Sequence, residues 1–367
     1  MAEDASMPFD TTAPPLATGR AMPRAASSDR AVGLWLLAVA AMVLVMVALG
    51  GATRLTGSGL SIMEWRPLTG WLPPLSEAEW QRLFDLYRTI PQYRLVNQGF
   101  GLEGFKRIFW LEYFHRVWGQ LIGVVFAGGL IWLWASRRIR RGLMPRLLLL
   151  FALGGLQGFL GWFMVASGFF EHRTAVSPYR LVLHLGMAFL IFSLLLATAL
   201  ALLRPAPAEA ADAWLRRGTV AVGVVAILTM VAGGFVAGTR AGFVYNTFPL
   251  MDGRLVPAGY GDLSPWVLNL TENLAAVQFN HRLLATLALA GALALGWRAL
   301  RAPPSAGRGA VLLFAALVVA QYALGVATLL WVVPVGLGTL HQTMALLVLA
   351  GFVNALDRLG ALRRGVA

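Results

Sequence analysis

The chain has 367 residues, of which 58% are hydrophobic and 13% charged, with a mean hydropathy of +0.69. Soluble domains are about 45–50% apolar and about 25% charged, so a single water-exposed core is excluded and the surplus apolar surface must face lipid. The absence of cysteine excludes disulfides, thiolate zinc sites, iron–sulfur clusters and cysteine nucleophiles.

In chain order, residues 1–32, rich in Ala, Pro, Ser and Thr, read as a disordered tail. Eight apolar runs follow, at 33–52, 113–135, 147–166, 179–202, 217–238, 277–298, 309–330 and 335–357. Each is near the roughly 20 residues a helix needs to cross a hydrocarbon core of about 30 Å, and lipid offers no partner to backbone groups outside a helix or closed barrel. The expected fold class is therefore an all-α integral membrane protein with eight transmembrane helices. The run at 33–52 is too long for the apolar core of a signal peptide and has a counterpart later in the chain.

The first outer loop, 53–112, contains SEAEWQRLFDLYRTIPQY. Ser76 and Glu79 form a capping-box helix start, and Pro91 marks a stop. Trp80, Leu83, Phe84 and Tyr87 share one face, which is expected to lie on the membrane surface. The link between spans two and three, SRRIRRGLMPR, carries five arginines. His172, in FFEHRTAVSPYR, reads as an exposed loop histidine. A linker at 204–216 separates the two sets of four spans, and 358–367 forms a basic tail. The third outer loop, 239–276, holds NTFPLMDG, similar to WRPLTG in the first, and both loops are expected to cap the helices.

Seventeen of the 30 basic residues fall on the side that holds both termini, against seven acidic residues there. The positive-inside rule places that side in the cytoplasm. The net charge of +13 is thus mainly a topology signal, and no nucleic-acid partner is expected.

The chain is duplicated. GGATRLTGSGLS at Gly50 matches GGFVAGTRAGF at Gly233, EYFHR (112–116) matches QFNHR (278–282), LQGFLGWFMVASG matches AQYALGVATLL, and HLGMAFL at His184 matches HQTMALL at His341. Four matches in the same order imply two four-helix bundles, 33–203 and 217–357, related by a pseudo-twofold axis along the membrane normal.

Four of the five histidines occupy duplicated positions: His115 with His184, and His281 with His341. Each lies a few residues inside an even-numbered span, so all four sit at similar depth near the outer face. Ionisable groups inside a span are costly and point to function. A lone histidine there is more simply a helix-to-helix hydrogen bond. Four at duplicated positions favour ligation, and two imidazoles on different helices grip haem iron from both sides. A non-haem metal would recruit carboxylates or thiolates, and none is duplicated. Arg54, Arg116, Arg240 and Arg282 stand beside these positions in matching pairs and are candidates for holding haem propionates, with interfacial snorkelling as the bland alternative.

One position breaks the symmetry. Three residues before the first histidine of each half stand Glu112 and Gln278. That spacing puts Glu112 on the face of His115, where its carboxylate can point at the pocket's contents. The asymmetry implies one active half and one half holding a resident cofactor. The plainer alternative is a surface carboxylate near a helix N-terminus, favoured by the dipole.

TRLTGSGLS (53–61), EYFHR, YRLVLH (179–184), NTFPLM (246–251), QFNHR and LHQTMALL (340–347) together resemble the haem A synthase family of membrane oxidoreductases, over about residues 30–360. The resemblance implies oxidation of the C8 methyl group of haem O to a formyl group by two hydroxylations, giving haem A for cytochrome oxidase. It implies a resident haem b on His281 and His341, the substrate haem at His115 and His184, and Glu112 as the catalytic carboxylate. It further implies a haem O synthase (a farnesyltransferase) as donor, the bacterial inner membrane as location and haem sites near the periplasmic face, and it leaves room for a homo-oligomer. Many bacterial relatives carry cysteine pairs in the outer loops. This chain has none, which aligns it with the cysteine-free alphaproteobacterial and mitochondrial branch and excludes a thiol-dependent mechanism. A dihaem b-type electron-transfer cytochrome is the alternative reading; a transporter built on a parallel repeat ranks last, because the polar residues sit at the outer edge rather than at mid-membrane.

Overall fold

The computed structural model describes residues 24–66, 69–170, 173–205 and 212–362. Among these, every regular element is a helix, apart from an isolated bridge between Met251 and Arg254. Eight helices are long and apolar enough to cross a membrane: α1 (Arg24–Leu55), α4 (Leu102–Ala135), α5 (Met144–Ala166), α6 (Pro178–Leu203), α7 (Ala213–Thr239), α8 (Leu274–Arg301), α9 (Ala306–Leu330) and α10 (Val335–Arg358). Two shorter helices, α2 (Glu77–Tyr87) and α3 (Pro91–Leu95), lie in the first outer loop. The chain is thus a multi-pass helical membrane protein.

Two apolar cores form. One is built mainly from α1, α4, α5 and α6 around Leu36, Leu133, Leu147 and Leu195, with Leu346 of α10 joining it. The other is built from α7 to α10 around Ala292, Leu295, Phe314 and Ala355. The seam between the halves is formed by α1 and α6 against α7 and α10. Glycines bring these helices close: a Cβ at Gly234 would lie 2.9 Å from Val182, and one at Gly238 would lie 2.7 Å from Pro178. Polar stitches join the halves at three depths. Tyr179 donates to Glu272 at 2.8 Å, Gln342 to the carbonyl of Val47 at 3.0 Å, and Arg204 to Asn354 at 2.7 Å.

Several boundaries differ from the sequence expectation. Helix α1 starts at Arg24, inside the stretch read as a tail, and Asp29 is paired with Arg140 of the inner link at 3.0 Å. Helix α7 starts at Ala213, inside the expected linker, because Asp212 caps it by accepting from Trp214 N at 2.8 Å. Residues 1–23 and 363–367, the rest of the two tails, and His172 lie outside the described residues.

The largest departure is α4. Its 34 residues span about 50 Å at 1.5 Å per residue, against about 30 Å of hydrocarbon. It is therefore longer than a perpendicular crossing needs, and its first turns carry Phe105, Ile108 and Phe109 as a wall for the first loop. Helix α2 docks on that wall. Trp80, Leu83, Phe84 and Tyr87 are buried against Phe105, Ile108 and Phe109, so the apolar face meets protein and not lipid, correcting the expectation of a membrane-surface helix. Ser76 caps α2 as expected, accepting from Glu79 N at 3.2 Å. The Glu79 carboxylate turns away to Arg82. Pro91 does not simply stop a helix; it opens α3, where its missing N–H is harmless.

Candidate functional site

Each of the four duplicated histidines rests on a glycine of a neighbouring helix, by the same ring edge. A Cβ on Gly50 of α1 would lie 3.0 Å from Cε1 of His115, and one on Gly161 of α5 would lie 2.9 Å from Cε1 of His184. In the second half, a Cβ on Gly233 of α7 would lie 2.9 Å from Cε1 of His281, and one on Gly325 of α9 would lie 2.8 Å from Cε1 of His341. A side chain at any of these positions would displace an imidazole, so hydrogen is the side chain the site requires. Gln157 and Gln321 repeat as well. They donate to the main-chain carbonyls of His184 and His341, at 3.2 Å and 2.9 Å. These glycines and glutamines were not singled out as site residues from sequence, although each lies in a repeated segment.

The rings of His281 and His341 have centroids 6.5 Å apart and planes at 86°. A metal–imidazole bond is about 2 Å, so one ion held between two such rings sets their centres roughly 6 Å apart. His281 Nδ1 lies 3.0 Å from the carbonyl of Thr229, the kind of contact that fixes a ligand's tautomer and leaves its other nitrogen for the metal. Nδ1 of His115, His184 and His341 is buried without a partner. No group of three or more His, Asp or Glu side chains converges among the described residues. The donor chemistry and the glycine cradles fit a haem held from both sides.

Glu112 is not a surface carboxylate. It is 2% exposed, ten residues into α4, and bonded on both oxygens. Oε2 accepts from Ser61 N (2.7 Å), Ser61 Oγ (2.7 Å) and Ile62 N (2.9 Å). Oε1 accepts from Arg116 Nε (3.1 Å) and Nη2 (2.6 Å). The carboxylate thereby ties the turn after α1 to α4. Gln278 does the equivalent task in the second half, donating to the carbonyl of Ala241 at 2.8 Å and accepting from Arg282 at 3.0 Å. The Glu/Gln difference thus has a structural cause beside any chemical one: the first loop presents N–H groups at this point, and the third presents a carbonyl.

The four arginines separate into two kinds. Arg116 donates to the carbonyls of Glu64 (2.8 Å) and Ile62 (2.6 Å). Arg282 donates to the carbonyls of Thr247 (2.9 Å) and Tyr245. Both clamp an outer loop onto its helix, and these guanidinium groups face peptide oxygens. For Arg54 and Arg240 no such clamp is seen among the described residues. Nε of Arg54 is buried without a partner, as is Nε of Arg282, and Arg240 follows α7 in a left-handed conformation with φ of 61°.

These features define a multi-pass helical membrane protein with one imidazole pair in each half of a duplicated chain. The chain belongs to the COX15-CtaA family of cytochrome oxidase assembly proteins, whose model matches residues 33–353. A heme A synthase of Granulibacter bethesdensis is 58% identical over 330 residues, covering 89% of this chain and 87% of the relative. One of Rhodospirillum centenum is 53% identical over 332 residues, covering 90% and 88%. One of Parvibaculum lavamentivorans is 47% identical over 335 residues, covering 91% and 95%.

Proposed function

We propose that this chain is a haem A synthase that oxidises the C8 methyl group of haem O. Two hydroxylations, each a two-electron oxidation of the carbon by an oxidant supplied from outside the chain, convert the methyl to a hydroxymethyl group and then to a gem-diol, which loses water to leave the formyl group of haem A. The observation that carries this reading is the recurrence of one glycine–histidine contact four times, with His281 and His341 at the ring spacing of a doubly ligated iron. On this reading His281 and His341 hold a resident haem b, which supplies one-electron chemistry when bound. His115 and His184 hold the substrate, within two four-helix bundles related by a pseudo-twofold axis.

Arg54 and Arg240 are the arginines we assign to haem propionates, since the guanidinium groups of Arg116 and Arg282 face loop carbonyls. Glu112 is assigned the catalytic carboxylate beside His115. With both oxygens already bonded to Ser61, Ile62 and Arg116, it suits electrostatic stabilisation of positive charge at the oxidised carbon better than proton shuttling. The arginine distribution puts both termini in the cytoplasm and the sites near the periplasmic face of the inner membrane. A haem O synthase supplies the substrate, and the product serves cytochrome oxidase assembly.

The test is to extract and separate the pigments of the purified protein, with and without a co-expressed haem O synthase. One haem b together with exchangeable haem O or haem A is expected. Two permanent b-type haems, unaffected by the partner, would instead identify a dihaem electron carrier and overturn the assignment.

A further inference from the structure

Away from the histidines, the two halves differ in how their second and third spanning helices meet. α8 and α9 pack closely. Tyr322 of α9 seals that wall: its hydroxyl lies 3.2 Å from the hydroxyl of Thr286 on α8, and its ring stands edge-on to Phe248 of the third outer loop at 6.3 Å. α4 and α5 touch far less. Towards the inner side Phe126 stacks on Phe151 at 6.0 Å. At the outer end Trp162 approaches Trp65 of the first loop at 6.4 Å.

Between these two contacts α4 and α5 carry four exposed glycines. A Cβ added at Gly154, Gly155 or Gly158 of α5, or at Gly123 of α4, would meet no other part of the protein within 4 Å. In register with the repeat, Gly154, Gly155 and Gly158 correspond to Val318, Val319 and Tyr322, and Gly123 corresponds to Leu289. The residue that seals the second half is therefore a glycine in the first. Gly158 lies two helical turns from Phe151 and so on the side of α5 that faces α4. Gly154 is likewise two turns from Gly161, the glycine beneath His184, so the slot leads to the histidine pair. Small residues alone could serve helix packing. Here no helix fills the gap, and the slot ends at two imidazoles, of His115 and His184, each with a buried Nδ1 that has no partner.

We infer that the slot between α4 and α5 is a lateral port from the bilayer that seats a long apolar chain carried by the porphyrin at His115 and His184. The inference rests on the proposed function, in which the substrate is the porphyrin made by a farnesyltransferase. A chain leaving lipid gains little from apolar burial, because lipid is as apolar as the slot. The port therefore acts by steric permission: the first half accepts a tailed porphyrin, and the half closed by Tyr322 does not.

The experiment is a spectral titration of the full-length purified protein with haem O, which bears the chain, and with protohaem, which does not. Wild type is compared with Gly158→Tyr and with Gly123→Leu on the opposite wall. The absorption of the resident pigment at His281 and His341 reports that each variant is folded. Both variants are expected to bind haem O about tenfold or more weakly, while protohaem affinity stays within about threefold. An unchanged haem O affinity overturns the port, since the slot then holds only lipid. An equal loss for both porphyrins overturns the assignment to the chain, since the variants then obstruct the ring itself. A wild-type protein that binds neither porphyrin at His115 and His184 overturns the enzyme reading and this inference with it.

Discussion

Glu112→Gln is the natural substitution for testing a catalytic carboxylate, and the structure shows that it does more than remove a charge. The amide can be placed in two ways. With its nitrogen in the position of Oε2, it faces Ser61 N and Ile62 N, which lie 2.7 Å and 2.9 Å from that oxygen, and donor meets donor. With its nitrogen in the position of Oε1, it faces Arg116 Nη2 at 2.6 Å, and two charge-assisted bonds worth about 1.5–3 kcal/mol each are lost. Either way the change breaks a buried ion pair on one side, at about 3–5 kcal/mol. The expected outcome is a lower melting temperature and faster hydrogen exchange in residues 58–62, whether or not substrate is present. Melting curves and exchange measured by mass spectrometry, alongside haem A formation, separate the two roles. Wild-type stability and loop protection in Glu112→Gln would refute this reasoning and leave chemistry as the residue's whole purpose.

Two further outcomes follow from the geometry. Gly233→Val should push His281 off its seat, because a Cβ there already lies 2.9 Å from the ring and overpacking costs about 1–3 kcal/mol; on the proposed function, retention of haem at His281 and His341 should fall about tenfold, measured as pyridine haemochrome per protein, and full occupancy would refute the cradle. Acid should loosen α2: Glu64 and Glu79 are held below their ordinary 4.5 chiefly by hydrogen bonds from Arg82, so their stabilisation is complete above that value and fades as pH falls through the lowered values. Protection factors in α2, corrected for the intrinsic exchange rate, that stay constant from about pH 6 to well below the ordinary carboxylate range would contradict this.

The spanning helices were legible because lipid imposes a length and an apolarity that few other environments require, and the four histidines that rest on glycines stood out because duplication repeated their positions. The face of α2 was read as membrane-bound for a physical reason: Trp80, Leu83, Phe84 and Tyr87 make a stripe that lipid and protein would bury equally well. What decided it was the extension of α4 back to Leu102, which offers Phe105, Ile108 and Phe109 as a protein wall. The roles of Arg116 and Arg282 were hidden because their acceptors are main-chain carbonyls of Ile62, Glu64, Tyr245 and Thr247, which carry no sequence signature. Gly50, Gly161, Gly233 and Gly325 were visible within the repeats. Their meaning as seats for imidazole required the helix crossings.

The three stitches along the seam, Tyr179 to Glu272, Gln342 to Val47 and Arg204 to Asn354, have a mechanical consequence. Two of them lie towards the outer end and one at the inner end, so a hinge at either end of the seam must break at least one of these bonds. On the proposed function, the separation of the two histidine sites is braced by these same contacts.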